Sequence, residues 1–290
     1  YLTFMGEDAD LLSRQLNLDI FIYDFQTDQI YNVTQALIAA GLLEEEQDWL
    51  DEDPAFNPAE SKIAFKRRSP GSDEFDIWSV SLNLPCFEVY SFTNLTNTPN
   101  VEESGPQYSP DGNWIICWID TNENSWIGRI PQSGGQAELI VDNANKQDMY
   151  PAYWDDHRIV YTSWDTEFSG DDDIKIKDLD SGIDSFGGGP FSSSTDDSDP
   201  FVINSSLLGF SSKFESTDGM WHLWFGNPYT GIAQMMQFGS LGKHDLGGSY
   251  SETSVDYLDS AIMVCPGYLE FHAIEGCDSP PPQFISINSF

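Results

Sequence analysis

Apolar and polar positions in this chain of 290 residues come in short bursts, and most bursts are bounded by Gly, Pro, Asn, Asp or Ser. That is the pattern of strands and tight turns. The clearest stretch runs from Gly105 to Ile130. Pro106 to Ser109 reads as extended, Pro110-Asp111-Gly112 as a turn and Trp114 to Ile119 as an apolar strand. A polar turn (Asp120 to Ser125) and a second strand (Trp126 to Ile130) follow. The turn has a mechanism: Pro presets φ, Asp bonds the local backbone and Gly accepts positive φ. One stretch departs from the strand pattern. Residues 35–50 (QALIAAGLLEEEQDWL) are dominated by Ala, Leu and Glu and predict a helical insert.

The same unit recurs. Pro54-Ala55-Phe56 leads to Ile63-Ala64-Phe65 and then Asp76-Ile77-Trp78. Pro151-Ala152-Tyr153 leads to Ile159-Val160-Tyr161 and Asp173-Ile174, and Pro200-Phe201-Val202 leads to Leu208-Gly209-Phe210 and Trp221-His222-Leu223. A weaker copy runs from Thr253 and Val255 to Ile262-Met263-Val264 and Tyr268-Leu269. The anchors at 54, 106, 151, 200 and 253 lie 52, 45, 49 and 53 residues apart. A period near 50 built from short strands predicts propeller blades. The expectation is one all-β domain over 1–290, a six-bladed β-propeller of four-stranded antiparallel blades. The blades fall at about 1–34, 51–99, 101–143, 147–195, 197–240 and 247–290. Phe56, Tyr108, Tyr153, Val202 and Val255 are predicted at equivalent places on five innermost strands.

Blade 1 offers only Tyr1 to Met5, Asp19 to Phe25 and Gln29 to Thr34, so it lacks its innermost strand in cis. Blade 6 reads as complete, with strands at Ser251 to Tyr257, Ser260 to Cys265, Tyr268 to Ile274 and Gln283 to Asn288. The strand absent from blade 1 can come from residues upstream of Tyr1, from the C-terminal segment Pro280 to Phe290, or from a neighbouring molecule by β-augmentation. Repeated head to tail, the last would build a filament. Tyr1 opens directly into a strand-like run, which reads as a processed or partial product.

The Ser109-Pro110-Asp111-Gly112 turn with a downstream Asp-Ile-aromatic step resembles the TolB-like propeller repeat, also called the WD40-like or PD40 repeat. The resemblance covers nearly the whole chain. It implies the propeller fold, and for function it implies a periplasmic protein-interaction module. Propellers host many unrelated activities, so the fold alone does not choose among them.

Charge narrows the partners. The chain has 48 acidic and 12 basic residues, a net charge of −36. Phosphate binding needs clustered Lys and Arg, so no nucleic-acid partner is expected. No apolar run is long enough for a membrane span. An aromatic content of 14% argues against disorder. Asn32-Val33-Thr34, Asn94-Leu95-Thr96 and Asn204-Ser205-Ser206 fit the N-glycosylation pattern and, with the acidity, point to an extracellular or cell-surface place, with the periplasm as the alternative. Cys86, Cys117, Cys265 and Cys277 form no CxxC pair. Cys117 sits in a predicted core strand, whereas Cys86 and Cys277 fall in turns where a disulfide is easier to place.

Two constellations carry candidate chemistry. Asp120, Asn122 and Asn124 in blade 3, and Asp165, Glu167, Ser169 and Asp171 in blade 4, place oxygen side chains at alternate positions of a hairpin. That resembles the opening half of a calcium loop, although Ile176 stands where an EF-hand has its bidentate Glu. The same residue types are also plain turn formers. The second constellation is a set of acids before the innermost strands: Asp53, Glu103, Asp148, Asp199 and Asp245, with Asp51, Glu52, Glu102, Asp196 and Asp197 beside them. In a propeller they would surround the channel mouth and make it strongly negative, unless they belong only to a generally solvated acidic surface.

Catalytic motifs are sparse. His157, His222, His244 and His272 show no metal-ligand spacing, and there is no G-x-S-x-G elbow. The expectation is a non-enzymatic module that binds a protein partner or copies of itself. The alternative is a carbohydrate-active hydrolase or lyase using acids and His244 at the channel mouth.

Overall fold

The protein is described from a computed structural model covering residues 1–7, 18–24, 27, 29–44, 49–84, 86–121, 124–143, 146–165, 172–186, 188–215, 221–235, 260–265, 268–273 and 284–286. They fall into two compact units, residues 1–156 and 157–290.

In the first unit, β1 (Leu2–Glu7), β2 (Leu18–Asp24) and β3 (Gln29–Asn32) form the antiparallel meander of blade 1. Helix α1 (Val33–Ala39) follows. Blade 2 comprises β4 (Leu50–Phe56), β5 (Lys62–Arg68), β6 (Asp76–Asn83) and β7 (Glu88–Asn94). Blade 3 comprises β8 (Glu102–Tyr108), β9 (Trp114–Asp120), β10 (Ser125–Pro131) and β11 (Glu138–Val141). Strand β12 (Lys146–Asp155) ends the unit.

In the second unit, β13 (Arg158–Asp165), β14 (Asp172–Asp178) and β15 (Asp184–Phe186) form an antiparallel meander. Blade 5 comprises β16 (Asp197–Asn204), β17 (Leu207–Ser212), β18 (His222–Asn227) and β19 (Ile232–Met235). A last antiparallel sheet holds β20 (Ser260–Cys265), β21 (Tyr268–Ala273) and β22 (Phe284–Ser286). Antiparallel four-stranded sheets repeated along the chain are propeller blades.

Blade 1 has three strands among the described residues, as the sequence predicts. Two features differ from expectation. A single parallel bridge, Leu18 to Leu50, joins blade 1 to blade 2. The helix covers Val33–Ala39 rather than 35–50. The Asn32 side chain accepts from the Gln35 amide and starts the helix early, and Gly41, at φ 69°, turns the chain out of it. Leu50 already belongs to β4.

The core of the first unit lies between blades. Ile20, Ile22, Val33 and Leu37 pack with Ile63, Phe65, Val80 and Leu82. Ala55, Ala64 and Ile77 pack with Tyr108, Ile115, Cys117 and Ile130. Each fully buried Ile, Leu or Val contributes about 1.5–3 kcal/mol relative to exposure. The second strands β5, β9 and β17 are covered on both faces, so their interiors are buried without alternation. The outer strand β7 alternates between exposed and half-buried positions.

Each described innermost strand carries the same irregularity. Asp53, Gly105, Tyr150 and Asp199 have φ of 52°, 59°, 51° and 52°, and each precedes the Pro of the repeat. In β4, β8 and β16 the pairing register shifts across that residue, so it is a bulge. Phe56, Tyr108, Tyr153 and Val202 each follow it by three residues, the equivalence the repeat predicts; Val255 lies outside the described residues. At Gly105 the bulge needs glycine for a second reason. A Cβ there would meet the Trp118 ring at 2.8 Å. Trp118 in turn packs edge-on against Tyr150, with centroids 4.5 Å apart. Gly105→Ala is expected to cost about 2–3 kcal/mol in urea denaturation, from positive φ plus the ring displacement. Gly71→Ala, at φ 76° with nothing within 4 Å of its Cβ, is expected to cost only about 1 kcal/mol. Equal losses would mean that Trp118 yields freely.

Candidate functional site

The bulge fixes where the acids go. Two residues before each positive-φ residue stands a carboxylate: Asp51, Glu103, Asp148 and Asp197. All four are buried. A buried carboxylate persists only with partners, and here each has at least one on the connector that arrives from the preceding blade. Thr34 Oγ1 donates to Asp51 Oδ2 at 2.9 Å, and Thr98 Oγ1 donates to Glu103 Oε1. The Asn143 backbone and side-chain amides donate to Asp148 at 3.0 Å. The Ser193 amide donates to Asp197 Oδ2 at 2.7 Å, and Ser212 Oγ donates to Oδ1.

A second acid holds the other end of the connector. Asn32 Nδ2 donates to Asp19 Oδ2 at 2.7 Å, and Asn94 Nδ2 donates to Asp76 Oδ2 at 2.7 Å. Thr34 and Thr96 then accept the Ile20 and Ile77 amides at 3.0 Å each. In blade 4, Ser192 Oγ donates to Asp173 Oδ1 at 2.8 Å. The Asp-Ile step of the repeat is therefore a latch: its Asp fastens the end of the blade, and its Ile enters the core where the structure buries Ile20, Ile77 and Ile174.

These contacts change the meaning of two sequence motifs. The side-chain nitrogen of Asn32 and of Asn94, the atom a glycan would take, is engaged with a carboxylate in the folded chain. Asn204 is the exposed last residue of β16, with its Oδ1 accepting from the Ser206 amide and hydroxyl of the following turn at 2.9 and 3.0 Å.

The acids placed at a channel mouth by sequence have a different environment. Glu103, Asp148 and Asp199 are buried and Asp53 is half-buried, because the connectors and blade faces close over the bulges. Asp245 and His244 lie outside the described residues. Lys66 and Arg67, 0% and 2% exposed, lie among the blade 2 acids. Lys66 Nζ is 2.9 Å from Glu52 Oε2 and 3.5 Å from Asp53 Oδ2, and lies over the Phe75 ring. Arg67 Nη1 is 2.6 Å from Asp51 Oδ1, with its guanidinium beside the Trp49 and Phe92 rings. Burial pushes the Asp51 carboxyl up, and the Arg67 guanidinium opposes it.

Of the candidate calcium ligands, Asp120 accepts from Ser125 Oγ at 3.2 Å and Asn124 Nδ2 donates to Asp142 at 2.9 Å. Asn122, Glu167, Ser169 and Asp171 lie outside the described residues, and Asp165 ends β13. Among the described residues no group of three or more His, Cys, Asp or Glu side chains is arranged to hold a metal ion. His157, exposed in its turn, lies 2.9 Å from Asp180. Burial pushes the Cys117 thiol up, so it behaves as an inert part of the core, while Cys86 is exposed. The sequence reading missed the connector residues Thr34, Thr98, Asn143 and Ser193. The available signal was an acid repeatedly two residues before the residue that precedes Pro.

The fold and its latches define a repeat-built all-β protein of the propeller class. No protein-family model matches the chain, and no curated protein matches it. Solved structures do. The chain resembles the crystal structure of TolB from Acinetobacter baumannii with a TM-score of 0.61 at 15% identity, covering 97% of this chain and 64% of that one. It resembles a puromycin-hydrolysing peptidase of Mycobacterium tuberculosis with a TM-score of 0.56 at 11% identity, covering 91% of this chain and 41% of that one. The chain therefore has the TolB-like propeller fold, and spans less than two thirds of the TolB chain it matches. No helix among the described residues is long and apolar enough to cross a membrane.

Replacing Asn94 by Ala removes the Asp76 contact and the Oδ1 that accepts the Thr96 and Asn97 amides, and is expected to cost about 1–3 kcal/mol by thermal denaturation. Asn204→Ala is expected to stay within about 0.5 kcal/mol of the parent. Equal effects would remove the distinction between latch and surface turn.

Proposed function

We propose that this chain is a non-enzymatic binding propeller that joins another protein, or another copy of itself, through the β1 edge of blade 1. The observation that carries the reading is strand β1. It pairs with β2 over Leu2 to Glu7 and with no other strand among the described residues. The four-stranded blades each begin with an innermost strand, and an edge without one presents backbone N–H and C=O groups suited to β-augmentation. The resemblance to TolB supports a protein-interaction module and favours a periplasmic place, with the cell surface as the alternative. A filament would follow if the contact repeats head to tail between copies. The hydrolase reading, on carbohydrate or otherwise, gains little from a peptidase neighbour at 11% identity.

The test is amide exchange across Leu2–Glu7 together with sedimentation of the full chain over a wide concentration range. Self-association predicts rising mass and at least about tenfold slower exchange in β1. For a different partner, the same slowing appears when that protein is added. Exchange in β1 that is already as slow in the dilute monomer as in the central strand β5 would sink the reading.

Calcium at the hairpins beginning at Asp120 and Asp165 is a subordinate part of the proposal, supported by the alternating oxygen side chains. Chelator should then lower the melting temperature and excess Ca²⁺ restore it by mass action. A melting curve indifferent to both leaves ordinary turns.

A further inference from the structure

The junction acids occupy one repeat position but do not share one chemistry. Asp51 faces a guanidinium, and the fixed positive charge of Arg67 keeps a partner for an ionised carboxylate. Glu103 and Asp197 are held instead by hydroxyl and amide groups. Glu103 sits opposite Ile119 in the β8–β9 pair. Thr98 occupies its Oε1, while its Oε2 is buried without a hydrogen-bond partner among the described residues. The charged groups acting on it are Asp76 of β6 and its own neighbour Glu102, both acids, and on β9 it faces the buried Cys117 thiol. Asp197 sits opposite Ser212 in the β16–β17 pair. Asp173 of β14 acts on it as a like charge, and the nearby cation Lys213 is taken by Asp196 at 2.6 Å.

We propose that Glu103 and Asp197 close their blade junctions as neutral carboxylic acids, so that the junctions are tightest in a mildly acidic medium and lose cohesion when the proton leaves. The geometry suits the neutral form. A protonated Asp197 can donate from Oδ1 to Ser212 Oγ, which already accepts the Phe214 amide at 2.8 Å and has a second lone pair free for it. The Ser193 amide still finds Oδ2 as acceptor. An ionised Glu103 would hold uncompensated charge at Oε2 beside two other acids. Burial pushes the Glu103 and Asp197 carboxyls up to about 7, against the opposing pull of Thr98 and Thr96 on one and of Ser212 and Ser193 on the other.

The sign follows from linkage. In the unfolded chain both acids ionise near pH 4, so between about pH 4 and 7 the folded state holds protons that the unfolded state has released. Stability from this source is complete below the unfolded value and falls as pH rises through the folded one. The exposed acids Glu60, Asp111 and Asp178 are held below the usual carboxylate range and titrate below this window, whereas burial pushes Asp51 up to about 7 despite Arg67, so it adds to the same slope and is left in place in the double variant. The proposal does not depend on the binding role of blade 1.

The experiment follows the melting temperature of the full chain from pH 5 to pH 8, alongside Glu103→Gln, Asp197→Asn and the double variant. The wild type should lose several degrees between pH 5 and 7 and level off above. The double variant should lose no more than about half as much, and should melt above the wild type at pH 8. A wild-type melting temperature that is constant or rises over pH 5 to 7, or a double variant with an unaltered slope, overturns the proposal. Should the variants fail to fold, infrared difference spectra of the wild type decide. A protonated carboxyl C=O band present at pH 5.5 and gone by pH 8 supports the proposal, and its absence at pH 5.5 overturns it.

Discussion

The constraint on which the described blades depend is the positive-φ residue before proline on each innermost strand. It costs about 1–2 kcal/mol for a residue with a side chain, and it breaks the register of the strand it sits in. In exchange it places the residue two positions earlier inside the junction, where a carboxylate can take the hydrogen-bond donors of the incoming connector. Those donors need partners. A buried donor left unsatisfied costs about 1–3 kcal/mol, more than a typical hydrogen bond contributes net. The strained bulge, the buried acid and the Ser, Thr or Asn on the connector therefore stand or fall together.

One repeat position has been filled with different chemistry from blade to blade. Opposite Asp51 stands Arg67, opposite Glu103 stands Ile119, and opposite Asp197 stands Ser212. The blade 2 solution buries a cation pair, Lys66 and Arg67, among Asp51, Glu52 and Asp53. Buried ions of that kind survive because each has a close opposite charge, and removing one partner strands the other at about 3–5 kcal/mol. The acids of the other described junctions, Glu103, Asp148 and Asp197, are held by hydroxyl and amide donors in place of a cation.

The junctions also account for the shape of the sequence pattern. Strands β5, β9 and β17 lie in the middle of their sheets with both faces covered. They read as unbroken apolar runs where the sequence is apolar, as in Trp114 to Ile119. In Lys62–Arg68 the same burial extends over two charged residues, which no hydrophobic pattern announces. The outer strand β7 alternates as a half-exposed strand should.

The sequence by itself determined the strands, their order and the equivalence of Phe56, Tyr108, Tyr153 and Val202, because period-2 alternation and Pro-Asp-Gly turns are local signals that repeat. It put the acids just before the innermost strands, whereas Asp51, Glu103, Asp148 and Asp197 lie within them. It overran the helix at 35–50, since helix propensity does not register a cap at Asn32 or a turn at Gly41. Only the tertiary structure decided that Asn32-Val33-Thr34 and Asn94-Leu95-Thr96 fasten blade ends, that Lys66 and Arg67 are interior, and that the acids are covered. The physical reason is range. Propensity and turn chemistry act over a few residues, whereas the partner that satisfies a buried charge comes from a connector or strand elsewhere in the fold, as Arg67 and Thr34 do for Asp51, and its identity is fixed only when the blades pack.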